Sequence, residues 1–512
     1  MPVYTGGRTN QMAGTSYTVS PLSYLNPDDI ESITVLKDAD QVTIYGADGS
    51  NGVILVTTKS GAKNKPLAVS ARVNFGVATI DKSTEFRMMS QKQYLEVAKE
   101  AWANAGNNLS TFPYQDNEYN SYSTTDTDWS KEYLGVGTNL YADVSLTSGT
   151  DKMSNYVTGS YYRTNNTVKG DSQQRFSIRI RNTYDFTGWL KVNAQLSASY
   201  NNNDLFPLYR GYLETLPILE PYMSDGSFRL YNKVYDAKEG GWTMQKFTKN
   251  EVPEREANTN RQRSVVTSAN FSAEMKIIDG LKFTAQYAID YTHSHEDIYY
   301  SRVTLDGMDS AGNPKGSSRR ADASYINWTN VERLNFDRKF ADKHSVSAYA
   351  GIELRQVKYQ TLYATGSGFM NDNIQEVGYA DESSRKGYSS SNIERKMSFL
   401  GRAVYSYDSR YYVSFNIRRD GNSRWSNFWS TGVSWNAHKE KFFRSELVKM
   451  LKFKASFGFT GNSRVDTSGA DGTYVYGSSY SYAGSTGAVI GSVPNPGLSW
   501  EKTRMINAGV RI

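Results

Sequence analysis

The chain has 512 residues, with 58 Lys and Arg against 52 Asp and Glu, four His and no Cys, for a formal charge of +6. The lack of cysteine excludes a disulfide staple, a thiolate zinc site and a thiol nucleophile, and no run of 18 apolar residues offers a membrane-spanning helix. With 38 Tyr, 21 Phe and 9 Trp the chain is too aromatic to be disordered, yet its mean hydropathy of -0.60 is low for one large water-soluble core.

In chain order, Met1–Gly7 lacks the charged and apolar regions of an export signal, which leaves a cytosolic chain or one that starts inside a longer product. Asp28–Asp38 reads as a helix start followed by a strand. Ile44–Gly52 reads as a turn, and the apolar run Val53–Lys59 as a buried strand that ends at Gly61. Residues 1–66 are therefore expected to form a small α/β unit. Residues 90–105 look helical, with Ser90 and Gln93 spaced as a capping box.

From residue 67 to residue 512 the pattern changes to period-2 alternation, the mark of strands with one apolar and one polar face. Leu190, Val192, Ala194, Leu196, Ala198 and Tyr200 share one face, opposite Lys191, Asn193, Gln195, Ser197 and Ser199. Phe176, Ile178 and Ile180 oppose Arg175, Arg179 and Arg181, and Phe283, Tyr287 and Ile289 oppose Gln286. About fourteen such strands are expected, near 67–77, 139–148, 154–164, 174–185, 189–201, 265–277, 281–292, 325–338, 344–357, 396–407, 411–419, 429–437, 451–460 and 503–512. Most run nine to fourteen residues, enough to cross a bilayer when tilted.

The connections alternate in length. Joints 149–153, 186–188, 278–280, 339–343 and 408–410 are short, whereas 78–138, 202–264, 293–324, 358–395 and 461–502 are long. Joint 165–173 is longer than the short set, 420–428 is medium, and 438–450 is the exception to the rule that odd joints are long and even joints short. Outer-membrane barrels have short periplasmic turns and long extracellular loops, whereas a soluble sandwich has no reason to sort loop length by strand parity. The expected fold is an all-β membrane protein, a large antiparallel transmembrane β-barrel, with apolar faces toward lipid and polar faces toward a wet lumen. Arg175, Arg179, Arg181, Gln195 and Gln286 are candidate lumen-facing residues. Trp189, Trp429, Trp435, Tyr411 and Tyr200 are candidates for the interfacial aromatic girdles.

Several stretches resemble one family. LNPDDIESITVLKDADQVTIYGADGSNGVILVTTKSG (25–61) resembles the end of the plug domain of SusC/RagA-type TonB-dependent outer-membrane transporters. Asp126-Thr127-Asp128-Trp129 with VSLTSGTDKMSNYVTGSYYRTNNTVKGDSQQRFSIRIRN (144–182) is similar to its early barrel. YYVSFNIRRDGNSRW, then Trp435 and LKFKASFGFTGN, resemble the middle, and NPGLSWEKTRMINAGVRI resembles a segment before its last strands. The resemblance implies a division into 1–66, the C-terminal part of the plug, and 67–512, an incomplete barrel of about fourteen of roughly twenty-two strands. Residues 1–512 alone are then expected not to close a stable pore, because an open edge in lipid leaves backbone groups unpaired. The plug motif residues are Asp29, Ile30, Lys37, Asp38, Tyr45, Gly46, Gly49, Asn51 and Gly52.

The same resemblance implies import of large nutrients across the outer membrane of a Gram-negative bacterium, glycan oligosaccharides first and peptides second. A SusD-like lipoprotein would act as lid, and the TonB–ExbB–ExbD complex would energise the plug. A siderophore receptor, or a secreted β-rich binding module or adhesin, is the alternative; an adhesin would need no detergent. No catalytic constellation, cofactor motif or nucleic-acid face is expected, since the basic clusters Arg418–Arg419 and Arg319–Arg320 are short. His293 and His295 share one strand face beside Glu296, but no further metal ligand is indicated. Asp420-Gly421-Asn422 and Asp466–Asp471 are Asp/Gly-rich turn segments in which calcium is conceivable. Trp242, Tyr474, Tyr476, Tyr480 and Tyr482 are loop aromatics suited to stacking on sugar rings.

Overall fold

The computed structural model describes residues 26–49, 51–81, 88–206, 211–247, 250–422, 424–444, 447–462, 472–495, 497–498 and 500–512. The first unit runs from a short 3-10 turn at Pro27–Asp29 into β1 (Ile30–Leu36), a single helical turn α1 (Ala39–Val42), a second 3-10 turn at Thr43–Asp48, and β2 (Val53–Thr58). Asn26 caps the first turn by accepting from the Asp28 amide at 3.0 Å. β1 and β2 pair antiparallel as a two-stranded sheet. The apolar run expected to be buried is in fact half open, with Ile54 60% and Leu55 44% exposed. Among the described residues no third layer covers either face of this two-stranded ribbon.

The wall then follows as β3 (Lys65–Ala78), β4 (Gly137–Gly149), β5 (Met153–Asn165), β6 (Ser172–Thr187) and β7 (Leu190–Asp204). The loop between β3 and β4 carries α2 (Gln91–Asn104) and α3 (Trp129–Tyr133); the loop after β7 carries α4 (Gly211–Glu214), the hairpin β8 (Tyr231–Asp236) and β9 (Gly241–Lys246), and α5 (Val252–Ala257). The expected capping box on α2 is present: Gln93 Oε1 accepts from the Ser90 amide at 3.0 Å, and Ser90 Oγ accepts from the Gln93 amide at 3.4 Å. The wall continues with β10 (Thr259–Ile278), β11 (Leu281–Tyr300), β12 (Ser317–Phe340), β13 (His344–Ser367), β14 (Lys386–Tyr407), β15 (Tyr411–Gly421), β16 (Trp425–Asn436) and β17 (Lys452–Asn462). A loop hairpin, β18 (Thr473–Tyr482) and β19 (Ser485–Ser492), precedes β20 (Glu501–Arg511).

Fourteen of these strands, all but β1, β2 and the two loop hairpins, form one antiparallel sheet in which each wall strand pairs with the next along the chain. All fourteen expected strands are found, and most are longer than the alternation indicated. β12 and β13 reach 24 residues each, and their added length lies at the long-loop end. The joint expected over 420–428 shrinks to 422–424, because β15 and β16 continue pairing up to Gly421 and Trp425.

Parity holds around the wall. Val73, Val144, Ile178, Leu196, Phe271, Ile289, Phe399, Phe415, Val433 and Ile506 are outward and exposed. Thr158, Arg179, Ser199, Asn327, Ser398, Asn416 and Ser430 are inward and buried. The outer apolar band is broken at Asn330 and Glu332, where Tyr287 Oη and Asn330 Nδ2 lie 3.4 and 3.3 Å from Glu332 Oε1. Trp189, Tyr411 and Trp435 sit at the short-turn rim and Tyr200 at the opposite edge of the band. Trp429 lies six residues above Trp435 on the same face, inside the band rather than at its girdle.

Long loops build a second core outside the wall. Trp129, Tyr133, Tyr122, Phe112, Ile218 and Val252 are fully or almost fully buried together. Their polar tips are satisfied: Trp129 Nε1 donates to Leu216 O at 3.0 Å, and Tyr122 Oη to Lys233 O at 2.9 Å. The loops after β3 and β7 are thus one packed layer.

Candidate functional site

The small α/β unit lies against the inner face of the wall at two places. At one end, Tyr141 Oη on β4 donates to Asn26 Oδ1 at 2.7 Å, and Tyr156 Oη on β5 to Asp29 Oδ1 at 3.1 Å. Arg179 on β6 approaches Asp29 at 3.7 Å, and Arg181 Nη1 donates to Thr58 O at 3.0 Å. Arg72 pairs with Asp28. At the other end the partners come from β13 to β20. Lys454 pairs with Asp38, Asn507 Oδ1 accepts from the Ala39 amide at 3.1 Å, and Asn416 Nδ2 donates to Asp40 O at 3.1 Å. Strands near opposite ends of the sheet order grip one unit, so the sheet curves around it, and the unit sits as a plug in the lumen.

The densest contact surrounds the tip Ile44–Asp48. Asp48 Oδ2 receives Lys396 Nζ at 2.7 Å and Arg355 Nη1 at 3.2 Å. Burial alone would raise the Asp48 carboxyl, but Lys396 and Arg355 outweigh it and hold the group below the usual carboxylate range. At Asp29 the contest ends the other way: burial prevails over the more distant Arg179, and the pKa is raised.

Arg418 lies beneath this tip, almost fully buried. Its Nε donates to Asp420 Oδ1 at 2.5 Å and its two Nη atoms to Glu353 at 3.2 and 3.0 Å. The remaining donors reach Ile44 O at 2.8 Å and Ser398 Oγ at 2.9 Å. Five bonds match the five N–H donors of a guanidinium. Three carboxylates (Asp48, Glu353, Asp420) thereby meet three cations (Arg355, Lys396, Arg418), so the group, which is open to solvent at Asp48, is charge-balanced.

Gly46 explains why a glycine is required above it. Its backbone is at φ 59°, ψ −129°, a region open in practice to glycine alone. A Cβ there would lie 2.1 Å from Asp420 Oδ2 and 2.6 Å from Arg418 Nε. Gly52 also has positive φ, 91°, at the entry to β2.

Other motif residues take smaller parts. Gly49 packs against the Val42 carbonyl, and Tyr45 is half-buried near Arg333. Ile30 opens β1 half-buried, whereas Lys37 and Asn51 are exposed. Arg175 and Arg179 are buried on the inner wall, with Arg175 over the Tyr162 ring. Gln195 and Gln286 are inward and half-buried, with no polar bond to the plug among the described residues.

Trp242 and the four tyrosines are not brought together. Trp242 packs on Tyr235 in the β8–β9 hairpin, while Tyr474, Tyr476, Tyr480 and Tyr482 stand exposed on β18. His293 and His295 both approach Asp322, at 3.4 and 3.0 Å, and His295 also meets Asp297 at 2.9 Å. Glu296 faces inward to Gln262, so it does not join them. No cluster of three metal ligands exists among the described residues. Asp420 and Gly421 end β15 rather than forming a loop turn, and the Asp420 carboxylate is fully buried and bonded to Arg418, which leaves it no place in a calcium site. Asp466–Asp471 lies outside the described residues.

Alternation found the inner arginines, and the motif found Asp29, Asp38 and Gly46. The cluster of Asp48, Glu353, Arg355, Lys396 and Arg418 was not singled out as a site, because its members lie on separate strands.

No protein-family model matches the chain. TonB-dependent receptor P3 of Formosa agariphila is 26% identical over 519 residues, 95% of this chain and 47% of that protein. TonB-dependent receptor SusC of Bacteroides thetaiotaomicron is 25% identical over 96% of this chain and 49% of that protein. The chain thus spans about half the length of the curated relatives it matches. Among solved structures, the RagAB peptide transporter superposes with a TM-score of 0.81 at 23% identity, covering 96% of this chain and 57% of that one. A ferric enterobactin receptor of Pseudomonas aeruginosa reaches 0.51 at 12% identity, covering 95% and 56%. The chain is therefore SusC/RagA-like in sequence and in fold.

Proposed function

We propose that this SusC/RagA-like chain is the plug-bearing wall of an outer-membrane importer for large nutrients. The observation that carries the reading is the plug tip seated on Arg418: a unit inside the curved sheet, held by ion pairs and hydrogen bonds around its tip, with Ala39 and Val42 packed beside them. Such bonds break and re-form without dismantling the apolar outer face, as a transported cargo requires. Energy would come from the TonB–ExbB–ExbD complex acting on the plug, and a SusD-like lipoprotein would cover the long-loop end. The relatives carry the names of receptors and transporters rather than enzymes.

Glycan oligosaccharides are the proposed cargo. The inner wall above the plug is rich in amides and hydroxyls, among them Asn201, Asn203, Gln262, Ser264 and Ser294, all buried. Such groups suit a polar, uncharged ligand. The test is uptake of fluorescent oligosaccharides and oligopeptides by cells bearing the whole receptor, with and without an uncoupler. Uncoupler-sensitive oligosaccharide uptake is expected. Peptide uptake alone would overturn the cargo, and uptake of neither would overturn the importer. The poorer superposition on the ferric enterobactin receptor weighs against a siderophore cargo.

A further inference from the structure

One short-side joint is unlike its peers. The connections 150–152, 188–189, 279–280, 341–343 and 408–410 need two or three residues, but β16 and β17 are joined by residues 437–451. β16 and β17 pair without a register shift from Asn436 opposite Lys452 up to Ser430 opposite Gly458, so this length is not needed to close the ladder.

The extra chain turns outward. Glu440 accepts from Tyr411 Oη at 2.6 Å, from Trp435 Nε1 at 3.1 Å and from Arg410 Nη1 at 2.9 Å. Tyr411 and Trp435 belong to the outward faces of β15 and β16, the same faces as Val413, Phe415 and Val433. Phe442 packs on Trp435, with ring centroids 6.3 Å apart, and Trp435 stacks in turn on outward Phe453. Residues 440–442 are therefore tied over the outside of the wall, at the edge of the apolar band.

What it presents there is amphipathic. Phe442 is 69% and Leu447 95% exposed. Lys439, Lys441, Arg444 and Lys449 are exposed as well. From Ala437 to Lys452 the sequence holds five Lys or Arg against two Glu. Isolated exposed leucines need no explanation, but apolar tips among cations, continuous with a lipid-facing aromatic band, match an interfacial membrane segment.

The geometry points to the described parts of this joint, 437–444 and 447–451, as a lipid anchor: Phe442 and Leu447 enter the periplasmic leaflet of the outer membrane while the surrounding cations bind anionic phospholipid headgroups. This rests on the reading of the chain as an outer-membrane barrel. The occupant is lipid rather than a protein because the apolar tips continue the band that already meets lipid, and because their cations complement phosphate.

The chain has no cysteine, so a single introduced thiol carries a unique label. In the whole receptor, Leu447→Cys, Leu196→Cys on the wall's outer face and Met370→Cys on a long loop would each take an environment-sensitive fluorophore. Each is reconstituted in phosphatidylcholine vesicles with or without phosphatidylglycerol, and quenching is read with headgroup-nitroxide lipid for 447 and 370 and with acyl-chain-nitroxide lipid for 196. The probe at 447 is expected to be quenched roughly threefold or more above that at 370, with a further rise on adding phosphatidylglycerol. Replacing Lys439, Lys441, Arg444 and Lys449 by Gln should remove that rise. A 447 probe no more quenched than the 370 probe, with 196 quenched, overturns the anchor alone. Quenching indifferent to phosphatidylglycerol overturns headgroup recognition. An unquenched probe at 196 overturns the barrel reading, and the anchor with it.

Discussion

At the scale of single residues, the plug seat depends on charge balance and on one missing side chain. Asp48→Asn leaves the buried cations Lys396 and Arg355 facing a neutral amide. Removing one partner of such a pair costs about 3–5 kcal/mol. The expected outcome is a receptor that assembles but holds its plug loosely, seen as faster proteolysis of residues 38–61 with the wall intact. Gly46→Ala acts from the other side, since its methyl would collide with Asp420 and the backbone conformation is strained for any L-residue. It should give the same protease pattern. The motif reading takes Gly46 and Asp38 as structural plug residues and passes over Asp48. A partner 348 residues away in sequence leaves no local pattern, and Arg418 was visible only as half of a short basic cluster.

At the scale of elements, parity gives the clearest test. Leu196 is outward and 47% exposed, while its neighbour Gln195 faces the lumen. Leu196→Arg should impair assembly by about 2–4 kcal/mol if the site is near midplane, and Gln195→Arg should not. Loss of the heat-modifiable band in the whole receptor is the measurement. The alternation located every wall strand but stopped short at the long-loop ends, as at 317–324 and 386–395. Above the lipid both faces meet water, so nothing in the sequence forces apolar residues onto one of them, and the pairing there is carried by the backbone ladder. The loop layer offers a separate test. Burial, with Asp306 nearby, pushes Glu254 on α5 up to about 7. A carboxyl raised on folding stabilises most when protonated. Its contribution is full below the unfolded value and is lost as pH rises through about 7, a ceiling of about 3 kcal/mol. Hydrogen exchange of α5 and Leu305–Met308, corrected for intrinsic rates, should show less protection at pH 8 than at pH 5.5. Glu254→Gln should flatten that difference.

At the scale of the whole molecule, the wall and its plug are joined by contacts of very different reach. Each wall strand pairs with the next wall strand, so hairpin after hairpin can close as the chain is threaded into place. The plug is different. Asp48 meets Arg355 and Lys396 across 307 and 348 residues, Lys454 meets Asp38 across 416, and Asn507 meets Ala39 across 468. Contacts so remote in sequence close slowly, because the intervening chain must first be ordered. The plug end Asn26–Asp29 touches β4 to β6 and has a partner early, but the tip must wait for β13 to β20. Assembly therefore has an order in time: the plug tip, which precedes the wall in sequence, is seated only after the last of its wall partners is in place, and until then the growing wall surrounds an open bore.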